Sequence, residues 1–224
     1  MPVQAFVGID AGTTGCTVMI FDERGKKLGH GYAEYPCITP HPGWSEQDLD
    51  VVWEGICEAC SQATSAANLP PEAYKSVGLS SQRGTIGMLD KDKKPLCNSY
   101  VWNCTRATEY QARFEAEISP EEHQAHTGMQ LSPLWSAAKV AWFRDNQPAL
   151  FEKTRWFANG QEYFLYKLGA EEWVTDPASL TLNGMMDIAK LDWSDKILSM
   201  CGITRDRLPP IGTPSGVAGK LSKE

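Results

Sequence analysis

A short segment near the N-terminus carries residue types that could hold a phosphate group through a metal ion. Residues 8–15 read GIDAGTTG. Gly12 and Gly15 permit backbone conformations in which N–H groups approach an anion, and Thr13 and Thr14 add hydroxyl donors. Asp10 would repel phosphate, so it implies a cation such as Mg²⁺, which prefers one or two carboxylates together with phosphate oxygens. The segment therefore predicts a phosphate loop for a nucleotide bound with Mg²⁺.

The same composition is also typical of an ordinary hairpin turn. No Gly-Lys-Ser/Thr sequence follows the glycines, so the segment is not a Walker-type loop. Taken by itself, the segment 8–15 indicates only an anion-binding turn, and a stronger interpretation depends on other parts of the chain.

Two further pairs of residues suit the binding of a polyol. Gln82 and Arg83 follow a predicted strand and offer amide and guanidinium groups to hydroxyls. Trp102 and Asn103 lie at the end of another predicted strand. There the indole ring can stack on a sugar while the amide binds its hydroxyls. For each pair taken alone, a solvated turn or a tryptophan in the core is the favoured interpretation.

The composition excludes several classes of protein. The chain has 224 residues, 42% of them hydrophobic, which suffices for one large core or two small ones. A net charge of −7 argues against nucleic acid or an anionic membrane as a partner. No apolar run approaches the roughly 20 residues that span a bilayer, and the N-terminus lacks the features of a signal peptide.

The cysteines point to a reducing compartment. There are seven of them, an odd number, scattered along the chain, which predicts free thiols rather than a disulfide framework. Cys57 and Cys60 fall inside a helical pattern, where buried thiols are expected rather than a zinc site. We therefore expect a cytoplasmic protein.

The elements that must position these side chains follow from the hydrophobic pattern. Strands are predicted at 5–10, 16–21, 27–35 and 76–80, with shorter ones near 85–89 and 100–102. A helix is predicted to open with Ser45 as N-cap and Asp48 in the capping-box position. Further helices are predicted at 105–117, 120–126, 133–145, 148–152, 160–168 and 193–200, with an extended hairpin near 173–175. This order predicts an α/β fold in which helices pack against a mixed sheet.

Several segments, taken in their order along the chain, resemble the FGGY carbohydrate kinases, a family that includes glycerol kinase, xylulokinase, gluconokinase and the autoinducer-2 kinase. The similarity covers essentially the whole chain, and the joint order of the segments is what is specific. The matching segments are residues 8–14, 42–48 and 81–85, Trp102 with Asn103, Thr127 with Gly128, Lys139, and Thr175 and Asp176 with Ser179.

The resemblance implies a ribonuclease-H-like domain of the actin, sugar-kinase and chaperone-ATPase type. Residues 1–224 are then expected to form the N-terminal domain, which carries the phosphate loop and the sugar pocket. In the family, a second domain binds the adenine and opens with a Gly-Gly-Gly-Asp segment whose aspartate is the catalytic base. The sequence stops before such a segment, so we expect a fragment that needs its own C-terminal domain as partner and is inactive alone. A homodimer is compatible with the resemblance.

Residue roles also follow from the resemblance. The Mg²⁺ ion and the phosphates of ATP are assigned to five loop residues, with Asp10 next to the metal: Asp10, Gly12, Thr13, Thr14 and Gly15. The sugar or polyol is assigned to four residues: Gln82, Arg83, Trp102 and Asn103. Glycerol kinases carry a glutamate at the position of Gly84 and a tyrosine near Leu134, and xylulokinases a Met-His pair at Arg83 and Gly84. These departures argue against glycerol and weaken the case for xylulose. The arginine leaves an autoinducer-2 kinase or another sugar or polyol kinase open.

The function predicted from the sequence is ATP-dependent phosphorylation of a sugar or polyol hydroxyl by the full-length protein. Two alternatives stay open. An actin-like or chaperone-like ATPase would share the loop and the fold but use ATP as a conformational switch. A non-catalytic domain would bind a sugar without transferring phosphate.

Overall fold

The computed structural model describes residues 3–221, and contacts between residues divide the chain into two compact units. The first unit combines residues 1–37 with 48–82, and the second combines residues 38–47 with 83–224. The assignment of all 224 residues to one domain stays a prediction. None of the helices described within residues 3–221 is long and apolar enough to cross a bilayer.

The elements are numbered in chain order. The strands are β1 (Ala5–Ala11), β2 (Gly15–Asp22), β3 (Lys27–Glu34), β4 (Glu46–Gln47), β5 (Tyr74–Ser81), β6 (Ile86–Leu89), β7 (Ser99–Tyr100), β8 (Trp156–Asn159), β9 (Met186–Asp187) and β10 (Asp192–Trp193). The helices are α1 (Leu49–Ala67), α2 (Tyr110–Glu115), α3 (Pro120–Thr127), α4 (Ser136–Asn146), α5 (Pro148–Lys153), α6 (Gly160–Lys167) and α7 (Asp195–Cys201).

The first unit is built on a mixed sheet with the strand order β3-β2-β1-β5. β1 and β2, and β2 and β3, pair antiparallel, whereas β1 and β5 pair parallel. Alternate residues such as Ile9, Val18 and Ile20 are buried because successive side chains of a strand point to opposite faces. Helix α1 packs on the sheet along β2 and β3. The strands predicted at 5–10, 16–21, 27–35 and 76–80 are thus confirmed.

Helix α1 begins at a different cap from the one predicted. Asp48, not Ser45, is its N-cap, and the carboxylate of Asp48 accepts from the backbone N–H groups of Asp50 (2.9 Å) and Val51 (3.4 Å). An aspartate cap satisfies N–H groups that have no partner inside the helix. Ser45 instead precedes β4, and its carbonyl accepts from Val101 N–H in the second unit. The predicted N-cap was therefore three residues too early.

The second unit contains an antiparallel sheet with the strand order β4-β7-β6-β8, surrounded by helices. Its core is rich in aromatic rings, with Phe143 of α4 next to Tyr100, Phe151 and Phe157. Residues 136–143 are all buried, so α4 is enclosed by the unit on nearly every side. A helix that is buried in this way provides a rigid support for the segments around it.

Other expectations needed correction. The helix predicted at 105–117 is shorter, because turns occupy residues 106–109 and α2 covers only Tyr110–Glu115. The extended hairpin near 173–175 is reduced to a single bridge between Thr175 and Ile211. Cys57 is exposed rather than buried, and Cys60 is half-buried. Helical spacing located this pair correctly on α1, but the covered face of the helix was misassigned.

Candidate functional site

The predicted phosphate loop joins β1 to β2 in the first unit. Asp10 lies in β1, in register with Thr17 of β2 and Ser80 of β5, and its side chain is exposed. Beyond the last paired residues the chain turns sharply, and Gly12 N–H donates to Gly15 O at 3.0 Å. The loop therefore presents an exposed carboxylate with hydroxyl-bearing residues beside it, followed by a tight, small-residue turn.

Close contacts from β3 and the residue after it explain why small residues are needed in this loop. A side-chain carbon on Gly15 would lie only 2.7 Å from Ala33 O and 2.7 Å from Tyr32 Oη. Tyr35 Oη donates to Gly12 O at 2.7 Å, and Tyr35 N–H donates to Thr14 O at 3.3 Å. Burial raises the pKa of Tyr35, so its hydroxyl stays a proton donor to the loop. Tyr35 is a supporting residue that the sequence analysis missed.

Gln82 lies next to the phosphate loop. Its backbone N–H donates to Ala11 O at 2.8 Å, which extends the pairing of β1 with β5 by one residue. Gln82 belongs to the first unit, whereas Arg83, Trp102 and Asn103 belong to the second. The first unit therefore brings together the five loop residues and one of the four residues assigned to the sugar.

The second unit brings the other three residues to neighbouring segments. Arg83, Trp102 and Asn103 are all exposed, and 41% of Trp102 is accessible to solvent. The Arg83 guanidinium donates to Thr181 Oγ1 at 3.2 Å. Trp102 and Asn103 lie two and three residues beyond the end of β7, in a turn. An exposed indole ring beside an amide and a guanidinium can stack on a sugar ring and bind its hydroxyls.

Gly84 allows the segment that carries Arg83 to lie close to the segment that carries Trp102 and Asn103. Its φ of +70° lies in the left-handed region that favours glycine. A side-chain carbon on Gly84 would meet Leu182 Cβ at 3.0 Å and Trp102 Cβ at 3.2 Å. Any larger residue, including the glutamate that the family resemblance gives glycerol kinases here, would need these neighbours and the backbone to move.

A buried lysine lies beneath these segments. Lys139 of α4 is completely buried, and its ammonium group donates to the backbone carbonyls of Gly84, Val101 and Trp102. Lys139 is among the residues that resemble the family, and the resemblance assigns it no role. No local sequence signal could have revealed these contacts, since the acceptors are 37 to 55 residues away along the chain.

The segment around Thr175 and Asp176 is ordered by hydrogen bonds of its own side chains. One carboxylate oxygen of Asp176 accepts from the N–H groups of Ala178 (2.8 Å) and Ser179 (3.1 Å). Thr175 Oγ1 donates to the carboxyl of Glu162, which is fully buried on α6. These contacts order the segment before the turn of 3-10 helix at Ser179–Leu182, which carries the Thr181 partner of Arg83.

Comparisons with known proteins identify the family. Residues 5–224 match the model of the FGGY family of carbohydrate kinases, N-terminal domain. A glycerol kinase from Thermococcus onnurineus is 33% identical over 222 residues, which cover 97% of this chain and 45% of that protein. The chain thus spans less than half the length of this curated relative.

Solved structures agree with this result. A xyloylose kinase from Brucella ovis is 26% identical with a TM-score of 0.91, over 98% of this chain and 46% of that one. A gluconate kinase from Lactobacillus acidophilus, at 22% identity, shows the same fold with a TM-score of 0.91, over 99% of this chain and 44% of its own. These matches confirm the α/β fold of the actin-like sugar-kinase type. The chain belongs to the FGGY family of carbohydrate kinases and corresponds to its N-terminal domain.

Proposed function

We propose that this chain supplies the phosphate loop and the acceptor pocket of a kinase that transfers phosphate from ATP to a hydroxyl of a sugar or polyol. The observation that carries the proposal is the β1–β2 loop, in which an exposed Asp10 precedes a turn where Gly15 has no room for a side chain against β3. Membership of the FGGY family supports ATP as the phosphate donor. The whole enzyme includes a part beyond this chain, since the curated relative is about twice as long.

The residues of the loop fit a Mg²⁺ ion bound together with phosphate. Asp10 takes part in none of the ion pairs described within residues 3–221, so its carboxylate is available to a cation. Mg²⁺ commonly binds proteins through one or two carboxylates and takes its other ligands from water and phosphate. When bound, the ion would offset the negative charge that the phosphate oxygens carry during transfer. We assign it to Asp10.

The loop and the acceptor residues act mainly by positioning. Phosphoryl transfer needs the attacking hydroxyl and the leaving oxygen to be in line, with the charge of the phosphate neutralised. We assign the phosphates to Gly12, Thr13, Thr14 and Gly15, in which the threonines carry hydroxyl donors and the glycines let the backbone come close to an anion. The acceptor is assigned to the amide and guanidinium groups of Gln82, Arg83 and Asn103, with the ring of Trp102 against the sugar. According to the family resemblance, the base that accepts the hydroxyl proton lies outside this sequence.

The identity of the acceptor depends on the turn at Gly84. Gly84 offers no carboxylate to a small triol at this position, and a side chain there would be crowded by Leu182 and Trp102. We therefore propose a sugar or polyol other than glycerol. Glycerol is the competing acceptor, because a curated relative with 33% identity is a glycerol kinase.

The cellular location and the oligomeric state of the protein are also proposals. A cytoplasmic location is supported by the seven cysteines, all of which are free thiols. A homodimer is compatible with the family and has no further support.

The test is the release of ADP by the full-length protein in the presence of Mg·ATP and a panel of sugars and polyols that includes glycerol, xylulose and gluconate. We expect stimulation by at least one acceptor and accumulation of its phosphate ester. ATP hydrolysis that no acceptor stimulates would favour the actin-like or chaperone-like ATPase. Sugar binding without any ATP turnover would favour the non-catalytic domain.

Replacement of the loop carboxylate gives a sharper test. Asp10→Ala is expected to lower kcat/KM by roughly a hundredfold or more, because charge stabilisation during transfer is lost. The thermal midpoint should change little, since the side chain is exposed. Asp92→Ala, at another exposed turn, is the matched control and should keep normal activity. Near-normal phosphorylation by Asp10→Ala would overturn the assignment of the loop.

A further inference from the structure

Lys139 is a charged side chain buried without a carboxylate partner. It lies on α4 with no exposure to solvent, and none of the ion pairs described within residues 3–221 includes it. Its Nζ is 2.7 Å from Val101 O, 3.0 Å from Trp102 O and 3.4 Å from Gly84 O. A lysine buried in this way is uncommon, because burial of a charge is unfavourable unless hydrogen bonds compensate for it.

The number of acceptors matches the charged form of the side chain. An ammonium group has three N–H donors, and the three carbonyls can accept all of them, whereas a neutral amine has only two. Burial lowers the pKa of Lys139 to about 7, with the nearby Cys104 thiol raising it and the Arg106 guanidinium lowering it further. Near neutral pH the ammonium group is therefore close to losing a proton, and with it one of the three hydrogen bonds.

The three carbonyls belong to the two segments that carry the proposed acceptor residues. Gly84 follows Arg83 directly, and Val101 and Trp102 directly precede Asn103. The segments already lie close together, since a side-chain carbon on Gly84 would be only 3.2 Å from Trp102 Cβ. Lys139 adds a hydrogen-bonded link from below, and α4 supports that link because its residues 136–143 are all buried.

We propose that Lys139 is a positioning residue for the acceptor, which fixes the backbone that presents Arg83 on one segment and Trp102 and Asn103 on the other. The side chain is buried, so it acts through the backbone and does not contact the acceptor itself. The proposal rests on the proposed function, since it takes these three residues as the acceptor site.

A purely structural role makes a different prediction. If Lys139 only filled the core, an apolar side chain of similar length would serve as well or better, because removal of a buried charge is often neutral or stabilising when the replacement packs well. Catalysis would then be unaffected. A positioning role predicts that the apolar variant folds and yet binds the acceptor poorly, because the two segments are no longer held in register.

The experiment uses the full-length enzyme with the acceptor that the panel identifies. Lys139→Met is expected to raise the KM for the acceptor roughly tenfold or more, since small displacements of positioning groups have large effects. The KM for ATP should stay within about twofold of the original value and the thermal midpoint should not fall. Ser136→Ala, a buried change on the same helix, is the matched control and should leave both KM values unchanged.

A second measurement needs no variant. As the pH rises from 6 to 8.5, the acceptor KM of the unmodified enzyme should rise by roughly threefold, because the loss of one N–H donor loosens the link. An acceptor KM that is flat over this range would overturn the proposal, even if Lys139→Met fails to fold. An unchanged acceptor KM in a folded Lys139→Met enzyme would do the same.

The two proposals can fail separately. If the unmodified enzyme phosphorylates no acceptor, the proposed function fails and the role of Lys139 fails with it. If the unmodified enzyme is active and Lys139→Met has the same acceptor KM, only the role of Lys139 is wrong.

Discussion

Arg106, Lys139 and Glu162 are ionisable side chains buried in the second unit, and each is stabilised in a different way. The Arg106 guanidinium pairs with Glu46 at 2.6 Å and lies over the rings of Tyr100 and Trp44, 3.4 and 4.2 Å from their centroids. Lys139 is held by backbone carbonyls. Glu162 depends on hydroxyl and amide donors. The planar guanidinium suits a stacked ion pair, whereas a compact ammonium group suits a cluster of carbonyls.

Glu162 is the residue whose burial has the clearest consequence for pH dependence. Its Oε1 accepts from Thr175 Oγ1 and from Asn159 Nδ2 at 3.3 Å, and its Oε2 has no hydrogen-bond partner among the residues that the structure describes. Burial raises the pKa of Glu162 to about 7, although the hydrogen bonds from Thr175 and Asn159 act in the opposite direction. The folded protein therefore binds this proton more tightly than the unfolded chain, whose carboxyl has a pKa near 4.5.

The stabilising effect of this proton depends on pH in a defined direction. It is fully present below pH 4.5 and is lost as the pH rises through about 7. Glu162→Gln stays neutral at every pH and gains an N–H donor. The difference in the free energy of unfolding between low and high pH is therefore expected to shrink by about 3 kcal/mol. Thermal midpoints of the full-length protein at pH 5 and pH 8 provide the measurement.

The control for this prediction is Glu152→Gln, at an exposed position of α5, which should keep the original difference between the two pH values. If Glu162→Gln also keeps that difference, the carboxyl of Glu162 does not control the pH dependence.

At the scale of elements, helix α1 lies unusually close to β3. A side-chain carbon on Gly29 would be 2.2 Å from Ala63 O, and one on Gly31 would be 2.0 Å from Ala59 O. The helix faces the strand with small residues, and Ala59 and Ala63 are completely buried. The glycines thus allow the helix backbone to pack directly on the strand backbone, which positions the sheet that carries Asp10.

Gly31→Ala is therefore expected to destabilise the protein by more than about 2 kcal/mol, because helix and strand must separate to admit one methyl group. Gly78→Ala, in β5 of the same sheet, has open space around the new carbon and should change stability by less than about 1 kcal/mol. Thermal or urea unfolding of the two variants provides the comparison. Equal losses of stability in the two variants would show that the effect of Gly31→Ala comes from strand propensity and not from the contact with α1.

At the scale of the whole molecule, the chain passes between its two units three times, after Cys37, after Gln47 and after Gln82. The phosphate loop lies in the first unit, and Arg83, Trp102 and Asn103 lie in the second. Each unit has its own sheet. The phosphate loop and three of the four proposed acceptor residues thus belong to units with separate sheets, whereas Gln82 belongs to the first unit together with the loop.

Residues 1–224 expressed alone are expected to show no phosphoryl transfer. The family resemblance assigns the catalytic base and the adenine site to sequence that this chain does not contain, and the chain spans about 45% of its curated relative. The measurement is ADP release and formation of the phosphate ester, with the full-length enzyme as positive control. Acceptor-dependent turnover by residues 1–224 would mean that the loop and the acceptor residues suffice, and would overturn this prediction.

Much of the fold was already predictable from local sequence patterns. Apolar alternation and turn residues predicted β1, β2, β3 and β5 to within a few residues, because side chains on a strand alternate between its faces. The order of short segments along the chain was enough to indicate the family. The same patterns misplaced the N-cap of α1, because Ser45 and Asp48 are both good capping residues and only the packing of the chain decides between them.

The α/β class, the position of the loop around Asp10 and the family all follow from patterns along the chain. Which polar groups are buried, and what they contact, depends instead on how distant segments pack together. Lys139 is 55 residues from Gly84 and 38 from Val101, and Arg106 is 60 residues from Glu46. Strand and turn signals arise from neighbours along the chain, whereas the partners of a buried charge are chosen by long-range packing. That packing places a lysine beneath the proposed acceptor site and crowds the space around Gly84.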